Sequence, residues 1–383
     1  MLRKHASSDA CDTRADALET LDCALARLEV RDELGSSLES QPELSAPIYR
    51  APAELWEDIF LYACADTILA YPLRADMLTA RTLGQVCQRW RDIALDDTRL
   101  WVVLIYIDMD QLMRHVDDVR VFCATVTLYL ARSGDQSFSL EIYWGCRTQS
   151  GSFPHGLQDE RLSDVRLLLS DLVQNIWRWQ DCAVSANILE YISRNLFSND
   201  FPRRLENCHI LDPTADDIDR ALFSFAPCLR SWRQEGGSYW PKLPLRQLTQ
   251  IKTGVVPVSA LAEILTNCEA LEDLEADVQN CLPGDICFPT SVSLPNLWMV
   301  LLTTESAFVL THLFRCLSAP SLSLLELHAP AYTSGWAWTI DDFNHFLGRT
   351  SGDITLFISG FALPDDAIGE LWDHPFIEEF TLN

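Results

Sequence analysis

The chain has 383 residues, enough for two or three structural units, and its 48% hydrophobic and 10% aromatic content excludes a largely disordered protein. A net charge of −26 excludes non-specific binding to nucleic acid and docking on anionic lipid, since both need positive charge. No apolar run approaches membrane-spanning length, and the opening Met1-Leu-Arg-Lys-His-Ala-Ser-Ser-Asp9 lacks the apolar core of a signal peptide. The 13 cysteines are odd in number and scattered, with no C-x-x-C pair and no Cys/His group at zinc-ligand spacing. They read as reduced residues of a cytoplasmic or nuclear protein, with neither metal nor cofactor expected.

Residues 1–16 are polar and predict a disordered tail. Leu18, Leu21, Leu25 and Leu28 then form an a/d seam flanked by Glu19, Asp22, Arg27 and Glu29. Residues 17–46 are thus an amphipathic helix and a linker. So short a seam suits a coiled coil and a helix packed back on its own chain equally.

The segment 47–101 is dense in large apolar residues at both ends. Pro52 suits a first helical turn and Glu54 and Glu57 suit a helix N-terminus, while Leu55, Ile59 and Tyr62 fall on one face that Trp56 and Phe60 widen. Leu83, Val86, Cys87 and Trp90 repeat the helical period, and Ile93, Ala94, Leu100 and Trp101 continue it. Three short helices cannot bury that many apolar groups among themselves, so part of the surface is expected to be covered by a partner.

In Pro52, Glu54, Leu55, Ile59, Phe60, Val86, Cys87, Trp90, Ala94, Leu100 and Trp101 the segment resembles an F-box, of the type common in mushroom-forming fungi. The resemblance departs from the pattern at Ala51, where a Leu is usual, and in the longer link over residues 63–80. It implies docking on Skp1 through Pro52, Leu55, Ile59, Phe60, Val86, Cys87, Trp90, Leu100 and Trp101, and through Skp1 on a cullin.

Beyond it, Val102–Ile107, Ser137–Trp144 and Arg178–Ser185 read as strands. Asp108–Arg120 and Leu157–Trp177 read as helices, Val121–Tyr129 suits either state, and Gly145–Gly156 is a loop. Residues 102–200 are a connecting region or early degenerate repeats. Over 201–383 an L-x-x-L-x-L pattern recurs, at Leu271/Leu274/Ala276, Leu294/Leu297/Met299 and Leu322/Leu325/Leu327, with weaker copies on either side. Helical stretches at Ser259–Thr266, Ala307–Leu317, Asp341–Leu347 and Asp365–Trp372 separate the copies. The expected fold is therefore α/β: an N-terminal helix, a three-helix F-box, then an irregular leucine-rich-repeat-like solenoid of alternating strands and helices. A non-repetitive α/β domain is the competing reading.

Strand alternation sorts the repeat residues into two faces. The binding face of such a solenoid would carry Asp273, Glu275 and Asp277, then Asn296, Trp298 and Val300, then Leu324, Glu326 and His328, then Thr355, Phe357 and Ser359. Asp273, Glu275 and Asp277 with Trp298, Leu324 and Phe357 are the candidate substrate contacts. A solvated acidic face explains the carboxylates as well. Arg230, Arg233, Lys242, Arg246 and Lys252, interleaved with Trp232, Tyr239 and Trp240, suit an acidic or phosphorylated partner, or a charge balance with the neighbouring acids. No G-x-S-x-G, H-E-x-x-H, P-loop or G-x-G-x-x-G occurs, so no catalytic residue is expected. By resemblance the chain would be a substrate adaptor of a Skp1–cullin–F-box ubiquitin ligase. The alternatives are a Skp1-binding protein outside any ligase, and an enzyme whose site is assembled across the repeats.

Overall fold

A computed structural model describes residues 51–114, 116–145, 163–195, 201–211, 222–236, 240–279, 288–304, 306–329, 340–361 and 363–382. The tail and the helix expected over 1–46 lie outside the described residues, as does nearly all of the 145–156 loop. The fold is mixed α/β and divides into two units. Of the described residues, 51–63 and 80–97 belong to a small helical unit; 64–79 and 98 onward belong to a larger sheet unit.

The helical unit holds α1 (Ala53–Cys64), α2 (Thr79–Leu83) and α3 (Gln88–Asp96). Pro52 stands just ahead of α1, where its missing N–H costs nothing, and Glu54 lies in the positive first turn. Trp56 and Phe60, one turn apart on α1, close on Trp90 of α3 with ring centroids 5.0 and 4.9 Å away. This aromatic triad and Ala80 and Ala94 form the unit's core. The Arg89 guanidinium donates to the Ala51 carbonyl, and Arg91 Nε donates to Gly84 O at 3.1 Å. These bonds tie α3 to the start of α1 and to the turn after α2. That turn interrupts the helical period expected over 83–90, so Val86 lies outside a helix and Cys87 is the N-cap of α3.

Among the described residues the sheet unit carries twelve strands in one parallel sheet: β1 (Ile68–Ala70), β2 (Leu104–Asp108), β3 (Phe138–Tyr143), β4 (Trp179–Ser185), β5 (Asn207–Leu211), β6 (Ser231–Gln234), β7 (Gln250–Val256), β8 (Asp273–Val278), β10 (Met299–Thr304), β12 (Leu324–His328), β13 (Ile354–Ser359) and β14 (Ile377–Leu382). Each pairs with the next in sequence, and β9 (Val292–Ser293) pairs separately with β11 (Leu317–Ser318). The long link between the two ends of the 47–101 segment is thereby explained, because it supplies β1, which pairs with β2. The sheet runs without a break across residue 201, so 102–200 contributes strands of the same series.

Between strands run α4 (Met109–Arg114), α5 (Val116–Arg132), α6 (Ser163–Gln174), α7 (Ala186–Asn195), α8 (Val258–Asn267), α9 (Ala307–Cys316), α10 (Ile340–Leu347) and α11 (Asp365–Trp372). An all-parallel sheet is usually covered on both faces. Here burial alternates along the strands, as in the pattern of β8, where Leu274, Ala276 and Val278 are sealed while Asp273, Glu275 and Asp277 stay half-exposed. One face is therefore core and the other is open.

Within the sheet unit, polar side chains staple successive strand–helix segments together by capping helix ends, which otherwise leave carbonyls unpaired. The buried Arg178 donates to Leu130 O and Gln136 O, 3.0 and 2.8 Å away, and to Asn175 Oδ1 and Ser133 Oγ. Its guanidinium also stacks over Phe138, and burial lowers its pKa. Arg349 does the same at the end of α9, donating to the carbonyls of Phe314 and Leu317.

Candidate functional site

On α1 the residues at 56, 60 and 64 turn into the core, which leaves the second apolar stripe at 55, 59 and 62 unburied. Leu55 is 50% exposed, Ile59 45% and Tyr62 88%. Val86, in the turn before α3, is 59% exposed, and Leu95 at the end of α3 is 38% exposed. Pro52 is exposed too, and Cys87 and Trp90 are half-buried. Three of the residues assigned to a partner by resemblance need correcting. Phe60 is fully buried within the aromatic triad. Leu100 and Trp101 belong to the sheet unit, on a short 3-10 turn, where both are buried and the Trp101 ring meets Tyr129 at 5.0 Å. These side chains are core and have no surface to offer.

On the sheet unit, the register aligns the open face into rows. The central row runs Tyr106, Glu141, Ala183, His209, Arg233 and Lys252 over β2 to β7. It continues through Glu275, Leu301, Glu326 and Phe357 over β8 to β13. Asp273, Glu275, Asp277, Leu324 and Phe357 thus share the open face, as the alternation predicts. The strand between them is different. Val300 is sealed in the core, and the open residues of β10 are Met299, Leu301 and Thr303. Trp298, with Asn296 before it, precedes the strand; its backbone N–H donates to Glu272 O at 2.9 Å, and its side chain is 43% exposed at the margin of the sheet.

The cations on this face are matched. Lys252 Nζ lies 2.6 Å from Glu275, and Arg233 lies 3.1 Å from Glu235, which also meets His209 Nε2 at 3.0 Å. Charge balance with Glu235, two residues on, and with Glu275 on the neighbouring strand therefore accounts for Arg233 and Lys252. Burial, and next the adjacent Arg233, push the His209 pKa down. Burial, and next Glu272, push the Asp273 carboxyl up. Further along, His328 Nδ1 lies 2.6 Å from Ser359 Oγ and its Nε2 3.4 Å from Glu326.

Ala183 opens a notch in the central row. A cavity of about 300 Å³ lies there, walled by Glu141 on β3 and by His209 and Arg233 on β5 and β6, with Cys182 and Cys208 in its lining. Asp181 at its rim accepts from Ser139 Oγ at 2.8 Å and from Asn207 Nδ2 at 2.5 Å. Burial raises the Cys208 thiol pKa, and its sulfur sits 3.5 Å from that of Cys182. Apart from Arg233, none of these residues stood out in the sequence. The alternation in Ser137–Trp144 was the available signal, since it places Ser139, Glu141 and Tyr143 on one face. Among the described residues no group of three His, Cys, Asp or Glu side chains could hold a metal ion, and no helix is long and apolar enough to cross a membrane. Compared with known proteins, the chain matches no family model, and a search of curated proteins finds no match either.

Proposed function

We propose that the chain is a substrate adaptor of a Skp1–cullin–F-box ubiquitin ligase. The helical unit would dock on Skp1, and the sheet unit, as a leucine-rich-repeat-like solenoid, would hold a protein target. The carrying observation is the open apolar set Leu55, Ile59, Tyr62 and Val86 on a unit whose core is already filled by Trp56, Phe60 and Trp90. Large apolar side chains left in water on so small a unit mark a protein-binding surface. The adaptor needs no reacting group of its own, because holding target and ligase together raises their effective concentration.

The test is co-purification of the full chain with recombinant Skp1. Leu55→Asp with Ile59→Asp should remove Skp1 from the eluate, because a carboxylate would be buried unpaired at each position. Both side chains are exposed in the free chain, so its far-ultraviolet dichroism and melting should stay unchanged. Skp1 retained at wild-type yield by the double variant sinks the assignment. Skp1 recovered from cells without any cullin would favour the reading of a Skp1 partner outside the ligase.

A further inference from the structure

The notch over Ala183 has the dimensions and charge of an anchor point. Neighbouring parallel strands are about 4.8 Å apart, so Glu141 and His209, two strands apart in one row, stand on opposite sides of a gap about 10 Å across at the backbone. Only the Ala183 methyl group fills that gap in the row. Glu141 has no hydrogen-bond or ion-pair partner among the described residues, whereas Arg233 already has Glu235. Asp181 is held on both sides by Ser139 and Asn207 and keeps lone pairs to spare. A cation entering here meets the carboxylates of Glu141 and Asp181, and Arg233, the cation of the lining, has its charge matched by Glu235. The same sign extends along the face, through Asp273, Asp277 and Glu326.

We propose that this notch takes the guanidinium of an arginine presented by a basic segment of a partner protein, with Glu141 as the carboxylate that receives it. A planar guanidinium offers two parallel N–H groups to one carboxylate and further donors to a second, which a lysine ammonium cannot match. This inference rests on the reading of the sheet unit as the target-binding part of an adaptor.

The experiment is fluorescence anisotropy with the full chain and a labelled Gly-Ser-Arg-Gly-Arg-Ser-Gly peptide. The same peptide with lysine or with uncharged citrulline in place of arginine is compared. Glu141→Gln should weaken the arginine peptide about tenfold, the worth of one charge-assisted contact. Ala183→Leu should do the same by filling the notch without altering any charge. Glu378→Gln, an exposed acid on β14, should leave binding unchanged, and the citrulline peptide should not bind. Equal losses in Glu141→Gln and Glu378→Gln, or full affinity in Ala183→Leu, would overturn the proposal, because binding would then be general attraction to an acidic chain. A lysine peptide binding as tightly as the arginine peptide would overturn the guanidinium assignment. Skp1 co-purification of the Glu141 and Ala183 variants reads the adaptor proposal separately, since neither residue lies in the helical unit.

Discussion

On α1, Trp56 and Phe60 are closed while Leu55 and Ile59, each one residue earlier, stand half in water. In the sheet unit the apolar residues of the inward rows, such as Ile105, Leu140, Leu274 and Leu325, are sealed, and the open face is mostly polar or charged. The two units thus treat their side chains differently. A helix with two apolar stripes satisfies only one of them against the three short helices described for this unit. A strand with one apolar face satisfies it completely once neighbours stack on either side. Open grease is informative in the first unit for that reason, and in the second the information lies in gaps and unpaired charge.

Variants of the two cores sharpen this contrast. The largest effect is expected from Trp90→Ala, which empties the aromatic triad at a cost of about 3–5 kcal/mol. Hydrogen exchange read by peptide mass spectrometry should show α1 and α3 losing protection while β3 to β13 keep theirs. Loss across both units together would deny that the helical unit is a separate cooperative block. Next comes Arg178→Ala, which strands the Leu130 and Gln136 carbonyls inside the sheet unit and should cost roughly 3 kcal/mol in a denaturant melt. Arg178→Lys should recover only part of that, since an ammonium cannot reach four acceptors in one plane. Helix α5 should be the first element to loosen. The smallest effect belongs to the open face. Lys252→Met removes a half-exposed pair with Glu275 and should change stability by less than about 1 kcal/mol. A larger loss there would mean that the face is a built part of the core.

Much of this was readable beforehand where the chain obeys a short period. Asp365–Trp372 is a helix with the bounds its pattern predicts, and alternation assigned Leu324, Glu326 and His328 to the open face. It failed at β10 for a local reason. Leu294 is a buried leucine just after β9, so the repeat pattern fits three residues too early and turns the strand over. The true copy there is Leu297, Val300 and Leu302, with a valine at the central position. The strands before residue 201 read as strands but not as clear copies of the repeat, because inward residues such as Ile105, Ile107, Cys182 and Val184 are not leucine, and α5 alone spans 17 residues. The notch was invisible for the same reason, since a gap in a row can be seen only after the strands are aligned. At the helical unit, spacing located the apolar residues but could not say which of them face inward.

The placement of β1 has a practical side. A fragment that contains α1 and α3 and ends before Leu104 also carries Ile68–Ala70, a strand whose pairing partner Leu104–Asp108 would be left behind. Leu69, fully enclosed in the intact chain, would then be bare on an unpaired edge, an invitation to self-association. Dissection of this protein should therefore replace residues 64–79 with a short polar connector before the first piece is expressed alone.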